Sequence, residues 1–243
     1  TDRAEETIIY TAHWDHLGVN AELAGDTIYN GAADNATGTA ALLAMAKMHA
    51  DAGPAPRSVV FLAVTAEESG LLGSRWYAEH PVFPLATTVA NINIDVLNTY
   101  GPTHDIVVVG NGSSELEAYL EEAATTQGRH LIEEPNPERG YYYRSDHFNF
   151  AKAGVPALYA ESGEDSVEFG SQWGAEQAQD YNENRYHAPS DEYDPSWNLE
   201  GAAQDILLYF DVASKLSHES SFPNWLEGNE FKSIRDATSS SRP

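Results

Sequence analysis

The sequence predicts an α/β fold: a three-layer sandwich with a mostly parallel central sheet and helices on both of its faces. Three observations carry this. Apolar, β-branched runs alternate with stretches of helical period along the chain. Several runs are apolar at nearly every position rather than at every second one, the pattern of a strand covered on both sides. And 243 residues are enough to bury such a sheet within one domain.

The strands are read, in order, at TIIYTA (7–12), SVVFLAVTA (58–66), TTVANINIDV (87–96), DIVVVG (105–110) and VPALYAES (155–162). The first helix is read at 39–53, stopped by Gly53. A second spans 113–128 behind a serine cap, and a third spans 198–218. Residues 163–195 are polar, acidic and aromatic, and read as a long loop. Residues 1–222 are taken as one catalytic domain. Residues 223–243 are taken as a tail, expected to fray from 224 onward because it ends in low-complexity sequence.

Composition narrows the chemistry. Acidic residues outnumber basic ones 38 to 13, for a formal charge of −25. Such a chain has no general surface for neutralising phosphates, so neither nucleic acid nor an anionic membrane is an expected partner. No apolar run is long enough to span a membrane. With no cysteine, thiolate metal sites, disulfides and a cysteine nucleophile are excluded, and any metal must sit on imidazole and carboxylate.

Polar clusters fall where a sheet of this kind binds its ligands, past the carboxyl ends of the strands. They are AHWDHLG (12–18), NGAADNATG (30–38), TAEESGLLGS (65–74), NIDVLN (93–98) and RYHAPSDEYD (185–194). His13, Asp34, Glu68, Asp95 and His187 supply the roughly five ligands that two cations sharing a carboxylate need. Imidazole and carboxylate suit zinc, and also manganese or cobalt. Glu67 is left over. Neighbours on an extended chain point to opposite sides, so one of Glu67 and Glu68 can hold metal while the other moves a proton. NGAADNATG lacks the lysine and spacing of a phosphate loop.

These five motifs, in this order, resemble the co-catalytic zinc peptidases of family M28, over residues 7–217. YYYRSDHFNFAKAGVPALY (141–159) resembles a segment of its larger bacterial members. The resemblance implies a zinc-exopeptidase sandwich with a mixed sheet and two zinc ions. His13 and Asp95 would bind one ion, Glu68 and His187 the other, with Asp34 bridging. Glu67 would be the general base, Asp15 would hold the His13 imidazole from behind, and Tyr186 would lie near the tetrahedral intermediate. A peptide is the implied substrate and aminopeptidase the implied activity. A carboxypeptidase or dipeptidase acting on acidic substrates comes next, then a glutaminyl cyclase, for which tryptophan rather than Tyr186 is usual, then a non-catalytic receptor-like domain. A secreted or periplasmic location goes with the family. Two departures stand out: Ala33 replaces a frequent aspartate, and only twelve residues precede His13, where the family has a longer N-terminal segment, often with a protease-associated domain.

Other residues read two ways. His16 is expected to pack in its loop. Ser145–Asp146–His147 reads either as a helix cap or as substrate pocket. Arg144 reads either as a grip for a substrate carboxylate or as a surface ion pair.

Overall fold

The computed structural model describes residues 3–242. Its sheet has six strands in the order β4 (Arg57–Val64), β1 (Arg3–His13), β5 (Thr88–Asn93), β8 (Ala157–Ser162), β6 (Asp105–Val108), β7 (His130–Glu133). All neighbours run parallel except β6 against β8, so the sheet is mixed and mostly parallel. A hairpin of β2 (Gly18–Val19) and β3 (Ile28–Tyr29) stands apart from it.

β1 shows why the fold has three layers. It lies between β4 and β5, and every residue from Glu6 to His13 is buried. Successive side chains point to opposite faces. Ile8 and Tyr10 join a core with Met45 of α1 (Ala36–Ala52) and Leu208 of α6 (Glu200–His218), against which α3 (Leu116–Thr126) also packs. Ile9 joins a second core with Tyr77 of α2 (Leu72–Glu79) and Phe150 of α4 (His147–Lys152). One strand thus feeds both hydrophobic layers. Its apolar run reflects that rather than a one-sided alternation.

Two regions differ from the sequence reading. Residues 163–195 contain a helix, α5 (Ser171–Asn184). It buries only Gly174, so it has no apolar stripe to betray it. Pairs one turn apart support it instead, among them Gln179 with Glu183 and Asn184 with Asp180. Residues 224–242 are not frayed. Trp225 and Phe231 pack on Ala151 and Ala157, and α7 (Lys232–Ala237) follows. Buried Arg235 donates to the carbonyls of Thr88 and Val89.

Candidate metal centre

Parallel strands β1, β4 and β5 end at the same edge of the sheet, and the site forms there. His13 is the last residue of β1. Its Nδ1 donates to the backbone carbonyl of Asp15 at 3.1 Å. A carbonyl can only accept, so Nδ1 carries a proton and Nε2 is the nitrogen turned toward the site. Asp15 therefore holds His13 through its main chain. Its carboxylate, 4.0 Å from Nδ1, instead accepts the Glu67 N–H at 3.2 Å, where the sequence reading gave it the imidazole.

Asp34 is delivered by the start of α1. Asn35 caps this helix by accepting from Gly38 N, and the same side chain donates to Ile94 O and accepts from Val96 N. The helix start is thereby tied to the exit of β5, beside Asp95. Gly38 is required, because a Cβ there would lie 2.3 Å from Asn35 Oδ1. From the other side, Asp191 accepts the N–H groups of Ala33 and Asp34 at 2.9 and 3.0 Å. Asp191 belongs to the loop that carries His187, so one buried carboxylate joins the two loops.

Glu67 and Glu68 lie in the turn after β4. The turn closes when Gly70 and Leu71 donate to Glu67 O. It packs tightly at Gly73, where a Cβ would lie 2.4 Å from Thr65 O. Asp95 follows β5 and accepts from Ser145 Oγ at 2.7 Å, while Ser145 accepts from Asn93 Nδ2.

The donors converge around Asp34. Its Oδ1 lies 3.2 Å from His13 Nε2, and its Oδ2 lies 3.4 Å from His187 Nε2. His13 Nε2 is also 3.1 Å from Asp95, and His187 Nε2 is 3.2 Å from Glu68. These separations are those of neighbouring ligands around an ion bonded at about 2.0–2.2 Å. No lysine or arginine pairs with these carboxylates among the described residues. Anionic groups this buried require compensation, and a set of imidazoles and carboxylates fits divalent cations.

The protonation equilibria say the same. Burial alone would lower the His13 pKa, but Asp34 and Asp95 outweigh it and push it up to about 12. Asp34 and Glu68, which burial alone would raise, are brought down by the histidines beside them, Glu68 to about 2. His187 is pushed up to about 9 by Asp34 and Glu68. Glu67 has no such partner. Burial and then the Asp95 charge push it up to about 9.

The site opens into a cleft of about 950 Å³, with walls that include Tyr143, Phe148, Tyr159 and Trp173. Tyr186 stacks on His187 with ring centres 3.9 Å apart, and its hydroxyl accepts from Arg144 at 3.4 Å. Both line the cleft. Asp146 and His147 do not reach it. They are 1% and 0% exposed, and His147 sits between the rings of Tyr142 and Tyr159. Asp146 stands at the cap position of α4 without capping it. Neither arm of the sequence reading holds for this pair. Asp191, Asn35 and Ser145 escaped that reading as supports of the site, because each acts on residues far away in sequence.

Comparison with known proteins follows this geometry. The Bacillus subtilis aminopeptidase YwaD is 28% identical over 186 residues, covering 76% of this chain and 36% of YwaD. BSAP, a zinc aminopeptidase from Bacillus subtilis, superposes with a TM-score of 0.65 at 22% identity, over 93% of this chain and 51% of BSAP. The glutaminyl cyclase of Porphyromonas gingivalis superposes with a TM-score of 0.59 at 16% identity, over 88% of this chain and 74% of the cyclase. At these identities the structural likeness is one of fold, and this chain spans 36% and 51% of the two aminopeptidases. No helix among the described residues is long and apolar enough to cross a membrane. The family model of peptidase family M28 matches residues 1–211, the stretch that carries every residue converging on Asp34, and the chain belongs to that family.

Proposed function

We propose that this chain is the catalytic part of an aminopeptidase that uses two zinc ions. The observation that carries the reading is the placement of Asp34, one oxygen toward His13 and the other toward His187, with Glu67 unpaired in the same cleft. His13 and Asp95 would hold one ion and Glu68 and His187 the other, with Asp34 shared. Bound there, two zinc ions polarise a peptide carbonyl and lower the pKa of water toward neutrality. YwaD and BSAP, both aminopeptidases by name, support the choice of activity.

The chain's own residues do the rest. Glu67, which would keep its proton to about pH 9 when buried among like charges, loses it more readily beside divalent cations. It then takes a proton from the attacking water and delivers it to the leaving amine. Burial raises the Tyr186 phenol, which keeps it a hydrogen-bond donor, placed to serve the developing oxyanion. The Arg144 contact orients that hydroxyl. Acidic residues outnumber lysines and arginines along the cleft, which suits the free ammonium group of a peptide N-terminus better than a C-terminal carboxylate.

The test is hydrolysis of leucine anilide against its N-acetylated form, with zinc and then with a chelator. Cleavage of the free amine alone, abolished by chelation and restored by zinc, is expected. Cleavage that survives chelation would overturn the reading. Cleavage of the acetylated compound as well would overturn the aminopeptidase assignment.

A further inference from the structure

Beside Asp34 lie three buried polar atoms with no hydrogen-bond partner: Nδ1 and Nε2 of His16, and Oε1 of Glu68. His16 Nδ1 and Glu68 Oε1 are only 2.7 Å apart, an ion-pair contact for a protonated ring, though the angles between them are not those of a hydrogen bond. Leaving such a group unserved is unfavourable, because it has lost water without gaining a partner. Solvent is no remedy, since the His16 side chain is 6% exposed and that of Glu68 7%. Two electron-pair donors closer than van der Waals contact, misaligned with each other, are arranged for a third body that both can face.

The place of His16 is built. Gly31 has φ +63° and no side chain. A Cβ there would lie 2.7 Å from His16 Cγ, inside the imidazole. On its other side the ring meets His187 edge-on, with centres 5.9 Å apart. His16, Asp34 and Glu68 each offer one donor atom within 4.8 Å of the others. The loop reading of His16 does not account for this, because packing alone does not call for a ring nitrogen 2.7 Å from a carboxylate of the site and within ligand range of Asp34.

Resting on the two-ion reading above, we propose that His16 is a further metal ligand, its Nδ1 joining Glu68, His187 and Asp34 on one ion. The two ions then differ in kind. One has His13, Asp95 and Asp34. The other has two imidazoles with Glu68 and Asp34, a more nitrogen-rich set that favours zinc over magnesium or manganese. The ion on the His16 side would be the last to leave under chelation.

Cadmium-113 NMR on the chain labelled with nitrogen-15 histidine tests this directly, since only a bonded imidazole shows coupling between the two nuclei. Three coupled histidines are expected, one of them lost in His16→Asn. Coupling at His13 and His187 only would overturn the proposal and leave the two-ion reading standing. Failure to take up cadmium would remove that reading and the proposal with it. Zinc competition against a chromophoric chelator gives a second readout. His16→Ala should raise one Kd by more than the roughly 10–100-fold typical of a residue that only supports a ligand, with the other Kd little changed. Two unaltered Kd values would also overturn it.

Discussion

Two buried carboxylate groups on the same sheet are neutralised in opposite ways. Between α6 and the β6–β7 edge, Asp205 meets Arg129 at 2.7 Å, both side chains about 2% exposed or less. Arg129 also donates to Thr103 Oγ1 and Asp105 O, so both terminal nitrogens of the guanidinium are engaged in the fold. At the carboxyl edge of β1, β4 and β5, three carboxylates, Asp34, Glu68 and Asp95, crowd together with imidazoles as their only basic partners among the described residues. A chain that resolves one buried acid with a fixed cation and leaves another cluster without one has reserved the second for charge from outside. The comparison separates stability from function.

The sharpest test of the reserved cluster is Glu67→Gln, which keeps shape and removes the proton acceptor. Turnover should fall by about 10²–10⁴-fold, with metal content by elemental analysis unchanged. Near-normal kcat would mean that Glu67 is an ordinary buried acid like Asp205. The matching test of the neutralised pair is Arg129→Met. Asp205 would be left buried and unpaired at a cost of about 3–5 kcal/mol, read by urea denaturation, with zinc affinity unaltered. A change in zinc affinity instead would show that the two regions are not separate.

Asp191 lies between the two cases, a carboxylate with no cation that is satisfied by backbone N–H groups of residues 33 and 34. In Asp191→Ala these buried donors lose their acceptor, for about 2–3 kcal/mol of stability. Because Asp34 is then loosened, zinc should bind about 10-fold or more weakly. Asp191→Asn keeps one acceptor oxygen and should recover part of both. Loss of stability with zinc binding intact would class Asp191 with Arg129, as a purely structural group.

How much of this was legible in the sequence depends on whether a residue's role is local. His13, Asp34, Glu68, Asp95 and His187 sit just past apolar runs or within motifs, and the structure gathers all five. The strands were legible for the same reason, since burial on both faces leaves continuous apolar runs such as IIY in β1. α5 was not, because a helix that buries one glycine carries no period. β7 is a short, half-buried edge strand. Asp191 and Ala33 are 158 residues apart, and nothing in either neighbourhood announces their bond. Asp146 and His147 looked like pocket residues because polar types in a motif invite that reading, whereas the start of α4 turns both inward. Arg235 looked like part of a loose tail, and its burial depends on carbonyls of residues 88 and 89 that only the folded sheet presents.

His147 offers the smallest effect and completes the comparison, for it is a buried base kept neutral rather than charged. Complete burial pushes its pKa down to about 3, against about 6.5 in an unfolded chain. The unfolded state therefore binds the extra proton first as pH falls. The stability tied to the neutral ring is fully present above about pH 6.5 and is lost progressively on the way down toward about pH 3. Between pH 7.5 and 5.5 this amounts to about 1.3 kcal/mol. His147→Leu removes the titrating group, so the urea-derived stability of the variant should be flatter than wild type across that window. Both proteins should be measured free of metal, so that protons do not displace the ions during the titration. His13 and His187 contribute equally to both and with opposite sign, since their pKa values are raised rather than lowered. A variant with the same slope as wild type would mean that His147 takes up its proton as readily in the folded state as in the unfolded one. Its burial would then not be what keeps it neutral.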